Sequence, residues 1–196
     1  DSIHGQFTAG DLLFRSAIAD IDGMIIPNVA LIAQTKMRHR YDIGLDAVSF
    51  TGKSEAVIQA LIVIAQTGRD DLLKQPDLLA EILTKFQVDI LFSTEGTAPS
   101  QTQPAFIDGD LLSAATGAIF RANSALLPTL PAGIPVRGAD FGLDAYTLGQ
   151  DPETGGVAEL ISTEVVGRGR LSFTDGDALR PGPTIRYTNF ALLKSL

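Results

Sequence analysis

The chain has 196 residues, 45% of them hydrophobic, and 15 Lys and Arg against 23 Asp and Glu give a formal net charge of −8. This length suits one large domain or two small ones, the apolar content argues against global disorder, and the acidic balance opposes the phosphate neutralisation that DNA or RNA binding requires. Cysteine is absent, which excludes disulfides, thiolate metal sites and Cys nucleophiles, and the two histidines, His4 and His39, are too few for a multi-histidine metal site in one chain.

The chain opens Asp1-Ser2 with no initiator Met, as a processed mature chain or a cut one would. The first patterned segment is Phe7-Thr-Ala-Gly-Asp-Leu-Leu13, followed by Asn28-Val-Ala-Leu-Ile32. Between them, Asp20-Ile-Asp22-Gly23 is a fragment of a calcium loop that lacks the later ligands and reads as a hairpin turn. A basic cluster, Lys36, Arg38, His39, Arg40 and Tyr41, precedes Asp42-Ile-Gly-Leu-Asp-Ala-Val-Ser-Phe50. Residues 52–88 read differently. Ser54–Gln66 is apolar without a decisive period, and Pro76 opens a segment with Leu78, Leu79, Ile82, Leu83 and Phe86 at helical spacing. The longest apolar run, Ala60 to Ala65, falls far short of the roughly 20 residues that span a bilayer. Leu91-Phe-Ser-Thr-Glu95 completes the series.

All four elements then return in the same order. Phe106-Ile-Asp-Gly-Asp-Leu-Leu112, Asn123-Ser-Ala-Leu-Leu127, Asp140-Phe-Gly-Leu-Asp-Ala-Tyr-Thr-Leu148 and Leu160-Ile-Ser-Thr-Glu164 form a second copy. Phe173-Thr-Asp-Gly-Asp-Ala-Leu179 and Asn189-Phe-Ala-Leu-Leu193 begin a third. The sequence thus reads as one β-repeat domain over residues 1–196, with copies at about 7–95, 106–164 and 173–196 and an insertion at 52–88. Asp70-Asp-Leu-Leu73 and Pro76-Asp-Leu-Leu79 within the insertion also fit a decayed copy of the first two elements.

Period-two alternation places Asp46, Val48 and Phe50 on one strand face and Leu45, Ala47 and Ser49 on the other. Asp-Gly at 108–109 and 175–176 is turn chemistry, and Asn28, Asn123 and Asn189 suit Asx turns. The expected fold is therefore mostly β: repeated four-stranded meanders in a propeller-like arrangement, with a sandwich or barrel as the alternative and one helical insertion. Two and a half copies are fewer than the roughly four to eight blades of a propeller, so a propeller would need either a longer chain, of which this is a fragment, or a second chain to close the ring.

The units running from Phe-Ser-x-Glu through Gly-Asp-Leu-Leu and Asn-x-x-Leu-Leu to Gly-Leu-Asp-Ala resemble repeats in secreted or surface proteins of bacteria. The resemblance covers most of the chain outside 52–88. It implies an extracellular β-repeat, secreted or at the cell surface, and carries no chemistry with it.

Two residue sets are candidate sites. Asp11, Asp46, Asp110, Asp144 and Asp177, with Glu95 and Glu164, are hard oxygen donors of the kind Ca²⁺ takes in sets of about six to eight. The same carboxylates equally suit backbone N–H bonds within their own turns. Arg38, His39, Arg40, Tyr41 and the matching Arg137 would hold an anion or a carboxylated sugar. The serines of Ser-Thr-Glu have no nearby His, and no Gly-x-Ser-x-Gly elbow or phosphate loop occurs. The reading is a non-enzymatic binding or structural domain for a carbohydrate or protein partner, without a nucleic acid or membrane span and with homo-oligomerisation through repeat edges. The alternative is a carboxylate-dependent hydrolase of glycans or phosphoesters, assisted by Ca²⁺.

Overall fold

The structure, a computed structural model, describes residues 7–16, 21–35, 37, 42–98, 105–126, 142–150, 155–164, 172–181 and 184–187. Strands β1 (Leu12–Ser16) and β2 (Ile21–Ile26) form a two-stranded antiparallel sheet, followed by the helical turn α1 (Asn28–Leu31) and a 3₁₀ turn at Ala33–Thr35. The second sheet contains β3 (Val48–Thr51), β4 (Asp89–Phe92), β5 (Leu111–Ser113) and β6 (Ile119–Arg121) in that order. Between β3 and β4 lie helices α2 (Ser54–Thr67), α3 (Arg69–Lys74) and α4 (Asp77–Phe86). The short helix α5 (Asn123–Leu126) leads on to the third sheet, a meander of β7 (Ala145–Gln150), β8 (Val157–Ser162), β9 (Ala178–Arg180) and β10 (Thr184–Tyr187).

The fold is mixed α/β, and among the described residues the sheets are open, with no propeller or barrel. This overturns the expected mostly β, propeller-like architecture, and its sandwich and barrel alternatives, for three physical reasons. Asn-x-Ala-Leu begins a helical turn in both described copies rather than an Asx turn between strands, because a remote carboxylate takes the first backbone N–H. The insertion is helical as expected, but its three consecutive helices add to α1 and α5 to make helix a major part of the fold, and Asp70-Asp-Leu-Leu73 and Asp77-Leu-Leu79 are helix and not a decayed strand pair. The first sheet, finally, has two described strands where the others have four. The helical spacing of Leu79, Ile82 and Leu83 does place all three in the core.

Each four-stranded sheet draws from two copies of the repeat. Its first two strands are the Gly-Leu-Asp-Ala and Ser-Thr-Glu elements of one copy, and its third is the Gly-Asp-Leu-Leu element of the next. Alternation along the strands then divides the apolar residues between two clusters. The first cluster holds Leu12, Phe14 and Ile26 of the first sheet, Val48, Phe50, Ile90, Phe92 and Leu112 of the second, and the apolar faces of α2 and α4. The second holds Ala47, Leu91 and Leu111 from the opposite face of the second sheet, with Tyr146, Ile161 and Leu179 of the third.

Equivalent residues of successive copies sit in successive clusters. Leu45, Val48, Phe92, Phe106 and Leu112 belong to the first, and their counterparts Leu143, Tyr146, Ile161, Phe173 and Leu179 to the second. The sheets are thus stacked in series, each presenting one face backward and one forward. Leu112→Ala should cost about 2–5 kcal/mol, as for a fully buried core leucine. The same change at its counterpart Leu13, which is exposed, should cost within about 0.5 kcal/mol. Urea denaturation of the two variants measures the difference.

Candidate functional site

The aspartate of Gly-Asp-Leu-Leu is a clamp between two elements of its own copy. Asp11 Oδ2 accepts the Thr8 N–H at 3.1 Å and Oδ1 accepts the Asn28 N–H at 2.8 Å. Asp110 repeats both bonds, with Ile107 N–H at 3.1 Å and Asn123 N–H at 2.7 Å. Asp177 accepts the Thr174 N–H at 2.8 Å. Each carboxylate closes the turn before it, and Asp11 and Asp110 also cap a helical turn well beyond them in sequence. The Arg69 guanidinium also approaches Asp11 Oδ2, at 3.8 Å.

The turn leaves no room for a side chain at Gly10, because a Cβ there would collide with the Asn28 amide and the Asp42 carboxylate. Asn28 Nδ2 donates to the Gly10 carbonyl at 3.1 Å. Asp42 accepts the N–H groups of Gly10 at 3.2 Å and Gly44 at 2.9 Å. Desolvation opposes ionisation of Asp42, but bonds from the Thr8 side chain and from the Gly44 and Gly10 N–H groups outweigh it and hold its carboxyl below the usual range.

The second group of acids lies where the second and third sheets meet. Ser93 joins the two copies: its hydroxyl accepts the Ala47 N–H at 2.9 Å and donates to the Leu143 carbonyl at 2.9 Å. The backbone repeats its pattern on both sides, with Asp46 N–H on the Ser93 carbonyl and Asp144 N–H on the Ser162 carbonyl. Gly44 and Gly142 take positive φ, +74° and +62°, and each lies directly beneath the glutamate of its own Ser-Thr-Glu element, Glu95 and Glu164. A Cβ would stand 2.6 Å from Glu95 Oε2 in one copy and 2.7 Å from Glu164 Oε2 in the other.

This packing brings Asp46 within electrostatic reach of Glu164, Glu95 and Asp144. Asp46 is half-buried, and its Oδ2 atom is buried without a hydrogen-bond partner. Desolvation, followed by the charges of Glu164, Glu95 and Asp144, pushes its carboxyl up to about 6. A carboxylic acid so placed is protonated in mildly acidic solution and can exchange a proton near neutrality. A second polar link between the sheets runs from Arg121 Nε to Glu159 Oε1 at 3.0 Å; within the third sheet Tyr146 Oη donates to the same oxygen at 2.8 Å, and burial and that bond raise the Tyr146 hydroxyl well above its usual range.

Of the acids singled out in sequence, Asp46, Asp144, Glu95 and Glu164 lie at one junction, while Asp11, Asp110 and Asp177 occupy separate turns. Among the described residues no group of three or more His, Asp or Glu side chains is arranged to hold a metal ion. Arg38, His39, Arg40, Tyr41 and Arg137 lie outside the described residues. Sequence reading missed Ser93 as the bridging hydroxyl and Asp42 as a clamp. Its only signal for Ser93 was the recurrence of Ser-Thr-Glu, and Asp42 has no pattern that separates it from a solvated aspartate. No family model, curated protein or solved structure matches the chain.

Removing the Asp110 carboxylate leaves two backbone donors without it, so Asp110→Ala should destabilise the fold by about 3 kcal/mol in chemical denaturation. Asp46 behaves oppositely. Its folded pKa of about 6 lies above the ordinary 3.8, so the folded chain holds this proton more tightly than the unfolded chain. Its contribution to stability is therefore lost as pH rises through that interval. Asp46→Asn should flatten the fall in melting temperature across this window and stabilise the fold at pH 7 by ~1 kcal/mol after allowance for solvent screening.

Proposed function

We propose that the chain is a non-enzymatic repeat domain, secreted or at the cell surface, that presents stacked sheets to a protein or carbohydrate partner. The observation that carries this reading is the employment of the repeated aspartates. Asp11, Asp110 and Asp177 direct their oxygens at backbone N–H groups of their own copies, which makes them parts of the scaffold. The arrangement favours a module whose variable surfaces bind and whose repeated residues fold. Its extracellular placement follows the resemblance of its units to repeats of secreted and surface proteins.

A second reading, a carboxylate-dependent hydrolase of glycans or phosphoesters, draws support from one observation: the raised carboxyl of Asp46 beside the acids Glu164, Glu95 and Asp144. A protonated and an ionised carboxyl in one group is the division of labour that glycoside hydrolysis uses.

A panel of glycans and phosphoesters, assayed between pH 4 and 8 with and without Ca²⁺, separates the two. No turnover is the expected result. Turnover lost in Asp46→Asn or Asp144→Asn would overturn the non-enzymatic reading and establish the other.

A further inference from the structure

Among the described residues, the first sheet has no counterpart of the two strands with which the other sheets begin. In the second and third sheets the Gly-Asp-Leu-Leu strand is sandwiched: β5 pairs with β4 as well as β6, and β9 pairs with β8 as well as β10. Among the described residues its counterpart β1 pairs with β2 alone. The helices do not fill the place, since α2 and α3 pack on β2.

The side chains record the same gap. Phe7 is 55% exposed, whereas its counterparts Phe106 and Phe173 are 2% and 4% exposed. Leu13 is 44% exposed, against 0% for Leu112 and 1% for Leu179. These are the backward-facing residues of each sheet. In the other two sheets they sit in the clusters beside Phe92 and Ile161 of the Ser-Thr-Glu strand. Two large apolar side chains whose every described equivalent is buried mark an interface rather than scattered surface.

We infer that the β1 edge and the Phe7–Leu13 face receive a β-hairpin carrying the Gly-Leu-Asp-Ala and Ser-Thr-Glu elements, supplied by a partner segment of that type. Strand addition brings main-chain hydrogen bonds, and alternate side chains set the fit. The internal precedent fixes the register. Phe92 stands opposite Leu112, and its counterpart Ile161 stands opposite Leu179. The incoming strand therefore places the apolar residue before its Ser-Thr-Glu opposite Leu13. Both hairpins of this chain already have partners, β4 on β5 and β8 on β9. A folded second copy consequently offers no free strand of the right kind.

The inference names the partner of the interaction domain proposed above and rests on that reading. A synthetic peptide of residues 140–164 carries both elements across a short connection and serves as the probe. Added to the full chain, it should bind saturably and slow hydrogen exchange over Leu12–Ser16. Leu13→Asp in the protein, or Ile161→Asp in the peptide, should weaken binding by about tenfold or more. Leu13 is exposed, so its replacement leaves the core intact, and an unchanged melting temperature verifies that. Absence of binding, binding that leaves β1 exchange unaltered, or binding indifferent to both substitutions would overturn the inference. So would protection of β1 by self-association of the chain alone, which assigns the face to a second copy. None of these outcomes bears on the turnover panel, so failure of the hairpin site and failure of the non-enzymatic reading are distinguishable.

Discussion

Burial of the repeat's apolar side chains needs two neighbours, one for each face of a sheet. A strand sends alternate residues to opposite sides, so Leu111 and Leu112 cannot enter one cluster. A sheet of four short strands covered on one side only would expose half of its apolar residues to water, at a cost of roughly 25 cal/mol for each Å² left uncovered. Stacking in series solves this for the interior. The second sheet is covered by the first sheet and helices on one face and by the third sheet on the other. The same requirement explains why a repeat unit does not coincide with a sheet. Each copy begins on the last strands of one sheet and ends on the first strands of the next, so the chain links neighbouring layers covalently as well as by packing.

The charged groups follow from this geometry. Aspartates at the sheet-to-helix crossing accept bonds from backbone donors and act as caps from a distance. The acids of Gly-Leu-Asp-Ala and Ser-Thr-Glu come from two copies, and stacking brings both sets to the same junction, where Asp46 feels the charges of three other carboxylates. Repetition alone thus produces like-charge crowding between layers. The bridges that offset it are local and specific to one junction: Ser93 between Ala47 and Leu143, and Glu159 between Arg121 and Tyr146.

Much of this was legible in the sequence. The alternation read from Val48, Phe50 and Ala47 is observed, although Leu45, read on the face of Ala47, packs with Val48 and Phe50 instead, and the helical period of 77–86 marks a helix with those bounds. The Asn-x-Ala-Leu element was not, because four residues are too few to display a helical period, and the carboxylate that caps them lies 17 residues earlier in the first copy. The open sheets were not legible either. Counting strands per unit cannot distinguish radial closure from stacking in series, since both bury two faces of a four-stranded meander. Of the candidate site, the recurrence of Asp46 and Asp144 was visible but their meeting was not, because it depends on Gly44 and Gly142 bringing each turn beneath its glutamate.

Serial stacking makes the three Gly-Asp-Leu-Leu strands chemically equivalent but unequally covered. Native-state hydrogen exchange on the chain alone reads this directly, because amide protection follows local burial and pairing. Serial stacking predicts strong protection in β5 and β9 and much faster exchange in β1, despite near-identical sequence. Equal protection of all three strands would contradict it, since it would mean that the first sheet is covered as fully as the others.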